Sequence, residues 1–220
     1  GCKQLDINHE AIAETLEALF GDCDKERLKL IRDRQILAPY QNGYRENVFT
    51  EICGELIRVL YDKTADDEGI QKLTAARYDA FIGCISLPDG VRELLNRLSG
   101  RFRLALLSNY PCGTSIRDSL DKVGLTAMFE SIVVSGDIGV VKPHPRPFEV
   151  LLESLNVSSS ECVLIGDNWL ADIQGAKRIG MKAIHTTQYS SYERFEPRDG
   201  DHEPDARIAH IEELGDLLMV

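Results

Sequence analysis

Cys162-Val163-Leu164-Ile165-Gly166-Asp167, with Asp172 one helical turn further on, is the stretch on which the reading of this chain turns. A continuous apolar run closed by a glycine and an acid reads as a strand buried on both faces that delivers a carboxylate at its tip. The same texture recurs on either side. Upstream, a helix with Phe148, Leu151, Leu152 and Leu155 follows the apolar run Ile132-Val133-Val134. Before that, a helix with Ile116, Leu120 and Val123 stops at Gly124, and the run from Phe102 to Leu107 follows a helix (Val91, Leu94, Leu95, Leu98) that ends at Gly100. Downstream, a helix around Ile173, Ala176 and Ile179 ends at Gly180, and Lys182 to His185 forms one more run. Apolar runs alternating with helices predict an α/β fold: a doubly wound parallel sheet covered on both faces. Thr187 to Asp205 reads as a long, flexible polar connection at the sheet's edge.

The texture changes near Leu87-Pro88-Asp89-Gly90. Before it, apolar residues recur only with helical period. Ile12, Leu16, Leu19 and Phe20 share a face that Gly21 stops, and Leu28 and Ile31 mark a second helix. Val48, Phe49, Ile52, Leu56, Val59 and Leu60 mark a third, and Ile70, Leu73, Ala76, Ala80 and Phe81 a fourth. The expected organisation is a small four-helix bundle over residues 1–87 and a Rossmann-like α/β core over 88–220.

With 220 residues and an apolar fraction of 43%, the chain has enough material to bury a proper interior. Its net charge of −11 argues against nonspecific nucleic-acid binding, which rests on Lys and Arg neutralising phosphates. An anionic ligand needs a local positive spot, from a lysine or a metal, inside that negative field. The six cysteines form no Cys-x-x-Cys pair and several sit at apolar-periodic positions, which fits a reducing, cytoplasmic setting better than disulfides or zinc. No apolar run reaches membrane-spanning length.

Ligands in such sheets sit at the carboxyl ends of the strands. Ser108-Asn109 and Asp167-Asn168 fall there, and Lys142 stands in Val141-Lys142-Pro143-His144-Pro145. Ser108 would place a hydroxyl and the following amides at the sheet's mouth, although Ser and Asn also serve there as helix caps. Lys142 is a surface charge unless something holds it, and Pro143, Pro145 and Pro147 stiffen its loop; His144 reads as a loop residue. Asp167 and Asp172 present two carboxylates to one point, which suits Mg²⁺. The competing account is a cap formed by Asp167 or Asn168 at the helix start.

In this order and spacing, Ser108-Asn109, Lys142-Pro143 and Gly166-Asp167 with Asp172 resemble motifs two, three and four of the haloacid dehalogenase superfamily, in its phosphatase-like branch. The resemblance covers roughly residues 88 to 220, with the preceding helices similar to that superfamily's helical cap. It implies that Ser108 and Asn109 bind the phosphoryl group. Lys142 would neutralise nucleophile and phosphate, Asp167 would hold Mg²⁺, and Asp172 would orient the lysine or a metal-bound water. It further implies hydrolysis of a small phosphorylated metabolite through an aspartyl-phosphate.

The family's first motif, a strand ending in Asp-x-Asp-Gly-Thr, has no counterpart in this sequence. Asp22-Cys23-Asp24 follows an amphipathic helix and a glycine, and reads as an interhelical turn. Asp6-Ile7-Asn8 is preceded by too short and polar a segment for a central strand, and reads as a cap. In the family's fold that strand lies between those ending at Ser108 and Gly166. An empty slot between strands of ~5 residues, at ~1–3 kcal/mol per unsatisfied buried group, rivals the ~5–15 kcal/mol that stabilises a domain. The expectation is therefore a further segment of about a dozen residues upstream of residue 1. Poor filling of the slot by residues 1–5, or filling by a partner's strand, are lesser options. Without that strand the chain is expected to be inactive. The alternatives are a phospholigand-binding protein lacking a nucleophile, or a 2-haloacid dehalogenase, against which Asp167 argues.

Overall fold

The computed structural model describes residues 2–188 and 195–219, with side chains from residue 7 onward. Four helices come first: α1 (Cys2–Phe20), α2 (Lys25–Gln41), α3 (Phe49–Tyr61) and α4 (Asp67–Cys84). They share one core, in which Ile12, Leu16, Leu28, Leu56, Ile57 and Leu73 are fully buried. The α3 stripe runs through Phe49, Ile52, Cys53, Leu56 and Ile57, the i, i+3, i+4, i+7, i+8 spacing of one helical face. Val48, expected on that stripe, stands outside the helix as its exposed N-terminal flank. Asp24 and Asp66 accept hydrogen bonds from the amides of Arg27 and Gly69, capping α2 and α4. Asp22-Cys23-Asp24 is thus a turn between α1 and α2, as expected. Asp6 and Asn8 do not start a helix; both lie inside α1, which begins at Cys2.

After α5 (Val91–Ser99) come β1 (Ala105–Ser108), α6 (Gly113–Lys122), β2 (Ser131–Val134), the single turn α7 (Ser135–Ile138) and α8 (Pro145–Leu155). Next are β3 (Val163–Gly166), a π-helical turn (Trp169–Gln174), α9 (Gly175–Arg178), β4 (Lys182–Thr186), β5 (Ala206–Ile208) and α10 (Leu214–Leu217). All pairings between these strands are parallel. Side chains alternate across the sheet: Leu164 and Ala183 pack with Phe148 and Ile173, while Val163, Ile165 and Ile184 pack with Leu94, Leu98 and Leu214. Helices therefore cover both faces, as period-two alternation between two apolar layers requires.

One feature was not anticipated. The connection from Thr187 leads into an additional strand, β5, paired with β4 from Ile184↔Ala206 to Thr186↔Ile208. Part of that connection, 189–194, lies outside the described residues, and the part that follows is tied down rather than loose. Trp169 Nε1 donates to Asp201, and Gln174 exchanges two hydrogen bonds with the backbone of His202.

The sheet is in two pieces, parted at the slot between the strands that end at Ser108 and Gly166. β1 pairs with β2, and β3-β4-β5 form a separate set. Between β1 and β3 runs a cleft of about 610 Å³, lined by both strands, by Leu94, Leu95 and Leu98 of α5, and by Leu120 of α6. Among the described residues its lining is apolar except for Ser108 and Ser119 and contains no acid. Every residue of β1 and β3 is only half-buried, whereas Ala183 to Thr186 of β4 are buried. Cys2 to Leu5 are helical, so they do not fill the cleft.

Candidate active site

At the carboxyl ends of β1 and β3 the chain assembles a polar cluster around one ammonium group. Lys142 is 7% exposed. Its Nζ donates to Asp172 Oδ1 at 2.6 Å and to the carbonyl of Leu107 at 2.8 Å. The lysine thus joins the end of β1 to the turn that follows β3. Its backbone is held as well: the Lys142 amide donates to Asn109 Oδ1 (2.8 Å), and Asn109 Nδ2 donates to the Lys142 carbonyl (3.0 Å). The Lys142–Pro143 peptide bond is cis. His144 caps α8, accepting from the Arg146 amide through Nδ1.

Asp172 owes its position to the π-helical turn. Both Asp172 and Ile173 donate their amides to the Asn168 carbonyl, at 2.8 and 3.3 Å, which widens the turn and swings the carboxylate back over the strand end. There its Oδ2 accepts from the Asn168 amide at 3.0 Å. Gly166 makes this possible: a Cβ at that position would sit inside the Asp172 carboxyl group. Asn168 is the helix cap, accepting from the Ala171 amide through Oδ1, so Asp167 is not committed to that task. Likewise α6 is flanked by Cys112, which leaves Ser108 and Asn109 outside the capping role.

Asp167 is in a different state from Asp172. Among the described residues no cation lies within ion-pair distance of it. Burial first, and then the neighbouring Asp172 charge, raise its proton affinity above the usual carboxylate range. Two acids thus share a site whose one lysine is bonded to only one of them. The described residues contain no group of three or more His, Cys, Asp or Glu side chains with metal-ligand geometry.

The first four helices contribute a wall that the sequence did not reveal. Tyr40, near the end of α2, is half-buried, within 3.4 Å of Asn109 Nδ2, and its phenol is pushed up to about 12 by burial. The segment after it docks on the loop carrying Lys142: Arg45 bridges to Val140, the Val141 amide donates to Tyr44, and the Glu46 amide donates to Gly139. Glu46 is buried, accepts from the Ser135 hydroxyl and the Asn47 amide, and is raised by burial. A pocket of about 310 Å³ lies between this wall and the strand ends, reaching Asn109, Tyr110 and Asn168. Phe195, its ring packed at a tilt against Tyr40 with centroids 4.6 Å apart, closes one side. No local pattern announces Glu46–Ser135 or Tyr40–Phe195, since their partners are far apart in sequence.

A family model for haloacid dehalogenase-like hydrolases matches residues 27–186. The chain belongs to that family. The match reaches back through α2, α3 and α4, well beyond the region from residue 88 that the motifs cover. This HAD-like hydrolase has phosphatases among its relatives. It is 32% identical over 133 residues to a glyceraldehyde 3-phosphate phosphatase of Methanopyrus kandleri, covering 60% of this chain and 55% of that protein. It is 27% identical to a phosphoserine phosphatase of Thermus thermophilus (94% and 74%) and 29% identical to human N-acylneuraminate-9-phosphatase (90% and 77%). In fold it is similar to the HAD-hydrolase YfnB from Bacillus subtilis bound to magnesium, with TM-score 0.73, 22% identity, and coverage of 99% and 93%. It is also similar to a 2-haloacid dehalogenase from Pseudomonas syringae, with TM-score 0.70, 24% identity, and coverage of 97% and 90%. No helix among the described residues is long and apolar enough to cross a membrane.

Proposed function

We propose that this HAD-like hydrolase cleaves a small phosphate monoester in a Mg²⁺-dependent reaction, through an aspartyl-phosphate whose aspartate arrives on a β-strand seated between β1 and β3. The observation that carries the reading is the unequal pair of acids: Asp172 is bound to Lys142, while Asp167, half-buried, has no cation within ion-pair distance among the described residues. A carboxylate in that position fits a hard divalent ion, which binds by one or two carboxylates together with phosphate and water. Mg²⁺ bound there would stabilise the negative charge that develops on the phosphoryl oxygens. The phosphatases among the relatives support the substrate class.

Each residue then has a role. Ser108, at the tip of β1, hydrogen-bonds a phosphoryl oxygen. Lys142 neutralises the entering carboxylate and the phosphate; Asp172 and Asn109 fix its head and its backbone. Asp167 is the metal ligand. The aspartate oxygen attacks phosphorus and the alcohol leaves; water then attacks the acyl-phosphate, releasing inorganic phosphate and regenerating the carboxylate. The helices over residues 1–87 act as a cap that limits water at the first step. Among the described residues the lining of the cleft holds no acid, which fits a nucleophile carried in on the inserted strand.

The test is hydrolysis of p-nitrophenyl phosphate by the protein as its gene encodes it, with and without Mg²⁺, beside Asp167→Asn. Mg²⁺-dependent release that the variant loses supports the reading, and metal-independent turnover overturns it. The acid-free cleft also favours a second reading, a phospholigand-binding protein; thermal stabilisation by phosphate esters without product is its signature. Halide release from a 2-haloacid would indicate dehalogenation instead.

A further inference from the structure

The connection between α2 and α3 is fastened to both loops that carry the phosphate site. On one side it pairs with the segment leading to Lys142. Arg45 bridges to Val140, the Val141 amide donates to the Tyr44 carbonyl at 2.9 Å, and the Glu46 amide donates to the Gly139 carbonyl at 2.9 Å. Tyr44 holds a φ of +65° there, a backbone region that bulky residues seldom enter. On the other side the Glu46 carboxyl group accepts from the Ser135 hydroxyl, and Ser135 Oγ accepts from the Tyr110 amide at 2.8 Å. Tyr110 is two residues past Ser108. Asn109 closes the ring by exchanging two hydrogen bonds with the Lys142 backbone.

Within this ring Glu46 has a place that no neutral side chain fills equally well. Glu46 is 8% exposed and Ser135 1%, so water does not replace either partner. A buried carboxyl group is unfavourable unless its oxygens are hydrogen-bonded. Here both are: one takes the Ser135 hydroxyl and the other the Asn47 amide at 2.7 Å. Glutamine has one acceptor oxygen and cannot serve both donors. The Ser135 hydroxyl in turn has a single proton. Its other acceptor is the Tyr110 carbonyl at 3.3 Å, which already takes the Gly136 amide at 3.0 Å. With the proton committed to Glu46, the lone pairs of Ser135 Oγ are left for the Tyr110 amide. The turn has no slack, since a Cβ at Gly136 would lie 2.6 Å from the Pro111 carbonyl carbon.

We infer that Glu46 is a positioning residue for phosphate binding: through Ser135 it fixes the backbone that carries Ser108 and Asn109, while its own connection holds the Lys142 loop. It acts through these groups and touches no substrate. The inference rests on the phosphatase reading and adds to it a residue that sets how tightly the phosphoryl group is held.

The test reads phosphate binding apart from turnover. Isothermal calorimetry with inorganic phosphate and Mg²⁺ compares the protein as its gene encodes it with Glu46→Met, Ser135→Ala and the double variant. Each single change is expected to weaken phosphate binding about tenfold, the scale of one lost hydrogen bond. The double variant is expected to bind no more weakly than the poorer single, because both changes break the same relay. Glu46→Gln, which keeps one acceptor oxygen, is expected to fall between Glu46→Met and the wild type. Ile57→Val, in the core of the first four helices, is the control for stability: it should lower the melting temperature and leave phosphate affinity unchanged. If Glu46→Met does not fold, Glu46→Gln takes its place beside Ser135→Ala. Equal phosphate affinity in wild type and variants, fully additive losses, a loss matched by Ile57→Val, or a wild type that binds no phosphate overturns the inference. The phosphatase reading fails separately, when phosphate binds with the expected pattern and p-nitrophenyl phosphate is not hydrolysed.

Discussion

Removing the charge of Asp172 tests the centre of the site without any assumption about substrate. The Lys142–Asp172 pair has side-chain exposures of 8% and 9%. An Asp172→Asn change keeps the shape, and its amide oxygen still accepts from the Asn168 backbone. What it leaves behind is a buried ammonium whose remaining partner is the Leu107 carbonyl. Stripping one partner from a buried pair costs about 3–5 kcal/mol, because the other charge stays desolvated. For a chain of this size that is a fall in Tm of about 6–20 °C. Lys142→Met removes the other charge, and the double variant Lys142→Met/Asp172→Asn removes both. The double variant is expected to lose less than the sum of the singles, by about 1–3 kcal/mol, since neither charge is then stranded. Urea melts followed by circular dichroism give the three differences. Breaking the exposed Lys72–Glu68 pair by Glu68→Gln, where both side chains are in water, should leave the melt nearly unchanged. Single variants that melt with the wild type, or a double variant that is strictly additive, would refute the claim that Lys142 and Asp172 form one buried unit.

Gly166→Ala should lower stability by about 1–3 kcal/mol, because its Cβ meets the Asp172 carboxyl and one of them must move; Gly54→Ala, with only ordinary contacts, should not, and equal melts for the two would contradict the close approach. Glu46 and Asp167 are both raised, Glu46 by burial, so between the ordinary carboxyl range and their folded values the folded state holds more protons than the unfolded one. Their contribution is therefore complete at low pH and falls as pH climbs through that window. Glu46→Gln should flatten the decline in thermal melts taken from about pH 4 to 8, and an unchanged slope would show that Glu46 does not titrate in this range. Mg²⁺ with inorganic phosphate should stabilise the wild type by about 2.7 kcal/mol at a hundredfold excess over Kd and leave Asp167→Asn unmoved; equal shifts in both would place the ion elsewhere.

The readability of this molecule from its sequence followed the range of the interactions. The run Val163-Leu164-Ile165, the stops at Gly124 and Gly180, and the period of α1 to α4 are local, and each reappears as an element within a few residues of where the pattern puts it. Strand β5 was missed because Ala206-Arg207-Ile208 offers three residues and a central charge, too little for a period-two signal; its partner β4 and the Asp205 hydrogen bonds to Ala183 make it a strand. The π-helical turn was invisible for a similar reason. Its register depends on the Asn168 carbonyl taking two amides and on space created by Gly166, neither of which leaves a spacing in the sequence. The helical wall of the pocket was legible as a bundle core but not as a binding surface.

The divided sheet connects these observations. A continuous parallel sheet would have buried β1 and β3 as thoroughly as β4, yet both are half-exposed along a cleft whose walls are mostly leucine, isoleucine and valine. Two half-sheets with apolar walls and open ladders remain open to one more strand, since its backbone would pair on both sides and its alternate side chains would enter layers that already exist. Across the carboxyl end of that cleft lies Lys142, bonded to Leu107 on one side and to Asp172 on the other. Any acid presented at the tip of an inserted strand would meet this ammonium and stand opposite Asp167. The arrangement that holds the two halves in register is thus also the one that would receive a nucleophile.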